Sequence, residues 1–390
     1  MRLNSLAVFR TLLSDTVISA LCRYIDIVDT ADTAGAVSAY SAFVSALYDA
    51  NGGHLGEHVK EICENSENVY VRLTGSKKEP SDYIKSCTAI ELATLQAVAD
   101  LTPEKLCKPL LDADFLPGFA SGDVNIAECF KNRAENINKY GYGLYAKHRM
   151  FYIDENNNII PVKNPDKTTL DSLVDYKAER QKVIDNTRAL LLGKPAANIL
   201  LSGDAGAGKS STVKAVANAM FSDGLRIIEV QKSQLRVIPK ILDELADNPL
   251  KFILFIDDLS FLKDDDNFNA LKAVLEGSVS AKSKNVVIYA TSNRRHIIKE
   301  TFSDRDGDEI HRNDTMQELI SLSARFGLHI TFQKPDKKTF LHILHCLAEE
   351  NGITLSHDEL DLRAEQFALM RGGRSPRLAQ QFIDLLLSEV

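Results

Sequence analysis

"ILLSGDAGAGKSST", residues 199–212, decides the architecture of this 390-residue chain. An apolar run ends in a glycine-rich turn that leads into lysine, two serines and a threonine. The spacing from Gly203 to Gly208, Lys209 and Ser210 is that of a phosphate-binding loop. Glycines at 203, 206 and 208 let the backbone turn tightly with its N–H groups aimed inward at an anion, and the helix that follows adds its positive end. Gly203, Asp204, Ala205, Gly206, Ala207, Gly208, Lys209, Ser210 and Ser211 are the candidate nucleotide-binding segment. Lys209 is expected to meet the β- and γ-phosphates, and the Ser210 hydroxyl to ligate Mg²⁺.

A phosphate loop needs a second acid for the metal at the tip of an adjacent strand. "KFILFIDDLSF" (251–261) supplies Asp257 after five apolar residues, with Asp258 beside it, at the separation of about fifty residues expected of such a pair. "VVIYATSNRRH" (286–296) is another buried strand with a polar end, where Asn293 is positioned to orient an attacking water. "LISLSARFGLHITF" (319–332) places Arg325 at the end of a helix, before a further strand.

Taken in order, the phosphate loop, the apolar strand ending in two aspartates, the strand ending in Asn293, "SARFGL" and a helical tail containing "GGRSPRLAQQF" (372–382) resemble the AAA+ ATPase superfamily. "SARFGLHITF" is similar to the arginine-finger segment of replication initiators and of clamp or helicase loaders. "RSPRLA" is similar to the sensor-2 helix of Holliday-junction branch-migration motors. As a whole the segment resembles an uncharacterised bacterial AAA+ family filed as a domain of unknown function. The resemblance covers about residues 166–390. It implies ATP and Mg²⁺ as ligands, with Ser210 and Asp257 on the metal. It further implies Asp258 as the water-activating acid, Asn293 as sensor 1, Arg325 as a finger given to a neighbour and Arg377 as the sensor-2 contact, with Arg374 as its rival. Adenine is expected near Leu173–Tyr176. One departure stands out: AAA+ members usually carry glutamate where this chain has Asp258, and the shorter carboxylate implies slow turnover.

Outward from this centre, the expected organisation is a helical domain over 1–140 and a hairpin linker over 141–165. A nucleotide-binding domain follows over 166–334, and a helical lid over 335–390. The first part repeats apolar residues at 3–4 spacing (Leu3, Leu6, Phe9, Leu13, Val17, Leu21). The linker "YAKHRMFYIDENNNIIPV" alternates, turns at Asn156–Asn158 and alternates again. Five strands are expected in the third part, 198–202, 225–231, 252–257, 285–291 and 328–332, forming a five-stranded parallel α/β sheet.

Net charge is −8, with 44% apolar and 26% charged residues, so no global pull toward nucleic acid or membranes exists. Six scattered cysteines with no C-x-x-C pair fit neither a zinc site nor a disulfide framework, and a reducing, cytoplasmic setting is expected. No stretch is long and clean enough for a membrane helix.

Three other signals carry less. "HLGEH" (54–58) matches an inverted zinc-protease pattern but reads more simply as a solvated helix start. "DRDGDE" (304–309) resembles a calcium loop with its glycine one position early. "NRRHIIK" (293–299) reads as solvated charge. The expectation is a Mg²⁺-dependent AAA+ ATPase that forms a homo-oligomeric ring and remodels an unknown protein client. Alternatives are a slow nucleotide-gated signalling switch and a DNA-replication-type loader; a small-molecule P-loop kinase is disfavoured by the finger and sensor-2 arginines.

Overall fold

The computed structural model describes residues 3–30, 32–110, 114–260, 266–276, 284–293 and 324–388. The chain forms two compact units. The first comprises Met1–Lys147 with Asp247–Leu250, and the second His148–Ala246 with Lys251–Val390. Among the described residues no helix is long and apolar enough to cross a membrane.

The first unit is helical, with its longest helices at Thr16–Val28, Thr33–Asn51 and Asp82–Ala99. Their 3–4 spaced apolar residues meet in one core that includes Phe9, Leu21, Tyr40, Phe43, Val59 and Leu95, all fully buried. Helix starts are fixed by side-chain caps: Asp15 accepts from the N–H groups of Val17 and Ile18. "HLGEH" is explained here. His54 caps the helix Leu55–Glu64 by accepting the Glu57 N–H at its Nδ1, and buried His58 donates to Asp15 Oδ1 at 2.9 Å. The segment is thus a capped helix start whose second histidine is buried rather than solvated.

The second unit is an α/β sheet with a helical lid. Its strands are β1 (Met150–Ile153), β2 (Ile159–Pro161), β3 (Ile199–Gly203), β4 (Leu225–Glu229), β5 (Lys251–Ile256), β6 (Val286–Ser292) and β7 (Leu328–Phe332). They lie in the order β2-β1-β4-β5-β6-β3-β7. All neighbours are parallel except the β1–β2 hairpin. The five strands read from apolar runs are present, but among the described residues the sheet has seven. The expected linker hairpin joins the sheet: β1 pairs with β4 in parallel, Met150 opposite Ile227. Asp154 Oδ1 closes the hairpin turn by accepting from the N–H groups of Asn156 and Asn158.

β5 lies inside the sheet, and Phe252 through Ile256 are each fully buried. That is why this strand reads as an unbroken apolar run. The phosphate-loop strand β3 sits between β6 and β7, so the loop leaves the sheet beside the carboxyl ends of both. The lid consists of Lys337–Glu350, His357–Met370 and Pro376–Ser388 around Phe340, Leu344, Ala364, Ala379 and Ile383. Val174, from the segment ahead of the helix Lys177–Leu191, packs against that lid core.

Candidate functional site

The phosphate loop is held open by conformations that favour glycine. Gly203 has φ +136°, and a Cβ there would lie 1.9 Å from the Phe332 carbonyl oxygen on β7. Gly206 has φ +77°, and a Cβ would meet Arg377 Cβ at 2.9 Å. The Arg377 N–H in turn donates to the Gly206 carbonyl at 3.3 Å, so the last lid helix begins directly against the loop. Asp204 and Ala205 are exposed at the loop tip, Ala207 is buried beneath it, and Gly208 (φ +85°) precedes the helix Lys209–Ala219.

Lys209 is only 5% exposed. Its Nζ donates to the carbonyls of Gly203 (2.8 Å) and Asp204 (2.7 Å) and to Asn293 Oδ1 (3.0 Å). Burial lowers its pKa, against the opposing pull of Asp204, Asp257 and Asp258. Asn293 turns its other amide atom toward Asp258, donating from Nδ2 to Asp258 Oδ1 at 2.7 Å. An ammonium only donates and a carboxylate only accepts, so these two neighbours fix which way the Asn293 amide faces.

Asp257 Oδ1 collects three donors: the Ser210 hydroxyl at 2.6 Å, the Thr291 hydroxyl at 2.5 Å and the Asp258 N–H at 3.1 Å. Asp258 also donates its N–H to Thr291 Oγ1 at 2.9 Å. Buried Thr291 therefore bonds both aspartates at once, to one through its proton and to the other through its lone pair. Asp258 has φ +51°, a left-handed conformation that aspartate and asparagine tolerate better than longer side chains.

These groups line one cavity of about 680 Å³. Leu173, Val174 and Tyr176, where adenine is expected, lie on its wall, as does Arg377. Ile343 and Leu347 of the lid line it as well. Arg374 does not line it; its guanidinium makes a two-pronged pair with Glu365, Nε–Oε1 2.8 Å and Nη2–Oε2 2.5 Å. Arg325 does not line the cavity either and is ion-paired with Glu276. The residues before Ala324 in "LISLSARF", the "DRDGDE" stretch and all of "NRRHIIK" after Asn293 lie outside the described residues.

Ser210 and Asp257 present a hydroxyl and a carboxylate to the same space, a hard-oxygen donor set suited to an octahedral cation that retains several waters. The sequence reading missed two residues. Thr291 lies near the carboxyl end of β6, two positions before Asn293, inside the run "VVIYATSN" that marks the strand and its polar end. Arg180 lines the cavity from within "KAERQK", a run that reads as a solvated helix face.

A family model described as "Protein of unknown function (DUF815)" matches residues 146–390, and the chain belongs to that family. No curated protein matches the chain. Among solved structures, the Holliday-junction branch-migration motor RuvB of Thermotoga maritima is similar at 16% identity and a TM-score of 0.37, covering 54% of this chain. Two single-substitution mutants of that motor give 15% and 16% identity with TM-scores of 0.37 and 0.38, again over 54% of this chain. The matched region spans only 61–62% of the length of those motor chains.

Proposed function

We propose that this member of the DUF815 family is a Mg²⁺-dependent AAA+ ATPase that binds ATP in the cavity and hydrolyses it between subunits to remodel a protein client. The observation that carries the reading is one connected set of hydrogen bonds. It runs from Lys209 through Asn293 to Asp258, and from Ser210 through Asp257 and Thr291 back to Asp258. A lysine, a polar amide and two carboxylates meet at the end of a glycine loop, where a triphosphate would lie.

Phosphoryl transfer asks the protein mainly for positioning and charge. Backbone N–H groups of residues 204–209 cradle the phosphates. Lys209 exchanges its present carbonyl partners for phosphate oxygens, which are charged and stronger acceptors. Ser210 and Asp257 would hold Mg²⁺, which supplies neutralising charge to the β- and γ-oxygens. Asn293 orients the attacking water, and Asp258 accepts its proton as the bond to phosphorus forms and the bond to the ADP oxygen breaks. Arg377 approaches the γ-phosphate from the lid, and its place on the cavity wall favours it over Arg374, which is off the cavity wall and holds Glu365 through two of its donors. Arg325, away from its own cavity, is given to a neighbour's site in a homo-oligomer.

A second reading is favoured by one observation. Asp258 is short, sits in a left-handed conformation and is bonded by Asn293. A base restrained in this way suits a slow nucleotide-gated switch. The direct test of both readings is Lys209→Ala titrated with a fluorescent ATP analogue: binding should be lost with the fold intact. Equal affinities for variant and wild type would remove the nucleotide site from the protein.

A further inference from the structure

Arg180 is a buried cation that has no bonded partner among the described residues. It lies one turn into the helix Lys177–Leu191 and is 8% exposed, yet it forms part of the cavity wall. Among the described residues its guanidinium makes no hydrogen bond or ion pair; Asp175 and Glu179 act on it only through longer-range attraction. Nearby, Asp175 Oδ2 is buried and also unbonded, so the two opposite charges do not close on each other. A guanidinium has five donors in a rigid fork, and among the described residues none supplies an acceptor to those of Arg180, which face the cavity. Such a group on a cavity wall is accounted for when the occupant of the cavity supplies acceptors.

The surroundings of Arg180 identify that occupant. Phosphate oxygens are already served by the glycine loop, Lys209, Ser210 and Arg377. In sequence Arg180 follows Leu173, Val174 and Tyr176, which line the same cavity together with Thr168 and Ser172, and the lid adds Ile343, Leu347 and Glu350. Tyr176 is itself fixed, its hydroxyl donating to the Gln333 carbonyl at 2.6 Å and its ring packed on Phe332. Apolar walls suit the flat faces of a heteroaromatic ring, and a planar donor fork suits acceptor nitrogens on its edge. Resting on the nucleotide reading above, we infer that Arg180 is the base-reading residue of the site, donating in plane to a ring nitrogen of the purine of the bound nucleotide.

The test compares Mg·ADP with Mg·tripolyphosphate, which has the phosphates and no base, by titration calorimetry on wild type and Arg180→Met. Methionine keeps an unbranched apolar stem and removes the charged guanidinium. ADP affinity should fall by about 10- to 100-fold, the worth of one charged hydrogen bond, with tripolyphosphate affinity unchanged. Equal losses on both probes would assign Arg180 to the phosphates, and no loss on either would leave it a structural residue; each outcome overturns the inference. Wild type alone gives a second arm that needs no variant to fold. One of 1-deaza-, 3-deaza- or 7-deaza-ADP should bind more weakly than ADP by a similar factor, and uniform affinity across the three defeats the assignment. If wild type binds neither ADP nor tripolyphosphate, the nucleotide reading fails and this inference falls with it. If it binds both while Arg180→Met changes nothing, only the inference is lost.

Discussion

The Thr291 hydroxyl donates to Asp257 Oδ1 at 2.5 Å while accepting the backbone N–H of Asp258 at 2.9 Å. One side chain on β6 thereby sets the positions of both acids at the tip of β5. Thr291→Val keeps the shape and deletes both bonds, leaving the Asp258 N–H without its strongest partner. The Asp258 N–H then keeps only its longer contact with Asp257 Oδ1 at 3.1 Å, and a hydrogen bond to a charged group contributes about 1.5–3 kcal/mol. The variant should still bind nucleotide, require roughly tenfold more Mg²⁺ for half-maximal turnover and lose kcat. Thr291→Ser should restore most of both. An unchanged Mg²⁺ requirement in the valine variant would reduce Thr291 to packing.

Asp258 holds the next prediction. Its φ of +51° costs a long side chain about 1–2 kcal/mol, whereas asparagine is among the residues that visit this region readily. Asp258→Asn should therefore fold and bind ATP normally but fail to hydrolyse it, because the proton acceptor is gone. Asp258→Glu restores the acid found in most AAA+ members but strains the backbone and pushes the carboxylate into the Asn293 amide. It should melt lower and turn over more slowly than wild type. Faster hydrolysis by the glutamate variant, in a phosphate-release assay, would show that carboxylate reach rather than backbone conformation limits the rate.

How much of this was legible in the sequence follows from the physics of each element. β3, β5 and β6 are buried on both faces, and an apolar run bounded by polar residues is all such a strand can be. The loop was legible because phosphate binding demands glycines and a lysine at set intervals. The partner of the β1–β2 hairpin was not, since alternation announces a strand without saying what it pairs with, and the parallel contact with β4 is long-range. Arg180 was hidden for the same reason. On a helix whose neighbours are Lys177, Glu179 and Lys182 nothing local marks one arginine as buried.

In the helical unit, pH should act through Glu91. Its carboxylate is 4% exposed and accepts from the N–H groups of Ala7 (2.7 Å), Val8 (3.2 Å) and Phe9 (2.9 Å) and from the Cys87 thiol. Burial alone pushes its pKa up, but the N–H donors and the thiol outweigh it and hold the group below its ordinary value. A depressed carboxylate stabilises the fold above its unfolded pKa, near 4.5, and that contribution is lost as pH falls through the folded value. Glu91→Gln should cost about 1.5–3 kcal/mol in urea unfolding at pH 7. The gap from wild type should narrow steadily below pH 4.5. A gap of constant size from pH 7 to pH 3 would mean that shape, not charge, holds the N-terminal turn.

Arg325 decides whether the protein works between subunits. Within one chain it is ion-paired with Glu276 and takes no part in lining the cavity, so a catalytic role requires a second copy. The chain should then oligomerise with ATP, which sedimentation in the presence and absence of nucleotide would reveal. Arg325→Ala should bind ATP yet hydrolyse it poorly, since an arginine finger contributes roughly 10³- to 10⁵-fold in rate. Asp258→Asn should be inactive for a different reason, having lost the base while keeping the finger. Mixing the two variants creates interfaces in which an intact Asp258 faces an intact Arg325 from the neighbouring chain, and these should recover phosphate release that neither variant shows alone. For random mixing of equal amounts in a closed ring, about one interface in four pairs the two intact groups, so recovery should approach a quarter of wild-type activity. The mixture must be shown to co-assemble, for instance by energy transfer between differently labelled variants. Co-assembly without recovery would place Arg325 in cis or outside the reaction, and a mechanism shared between subunits could not stand.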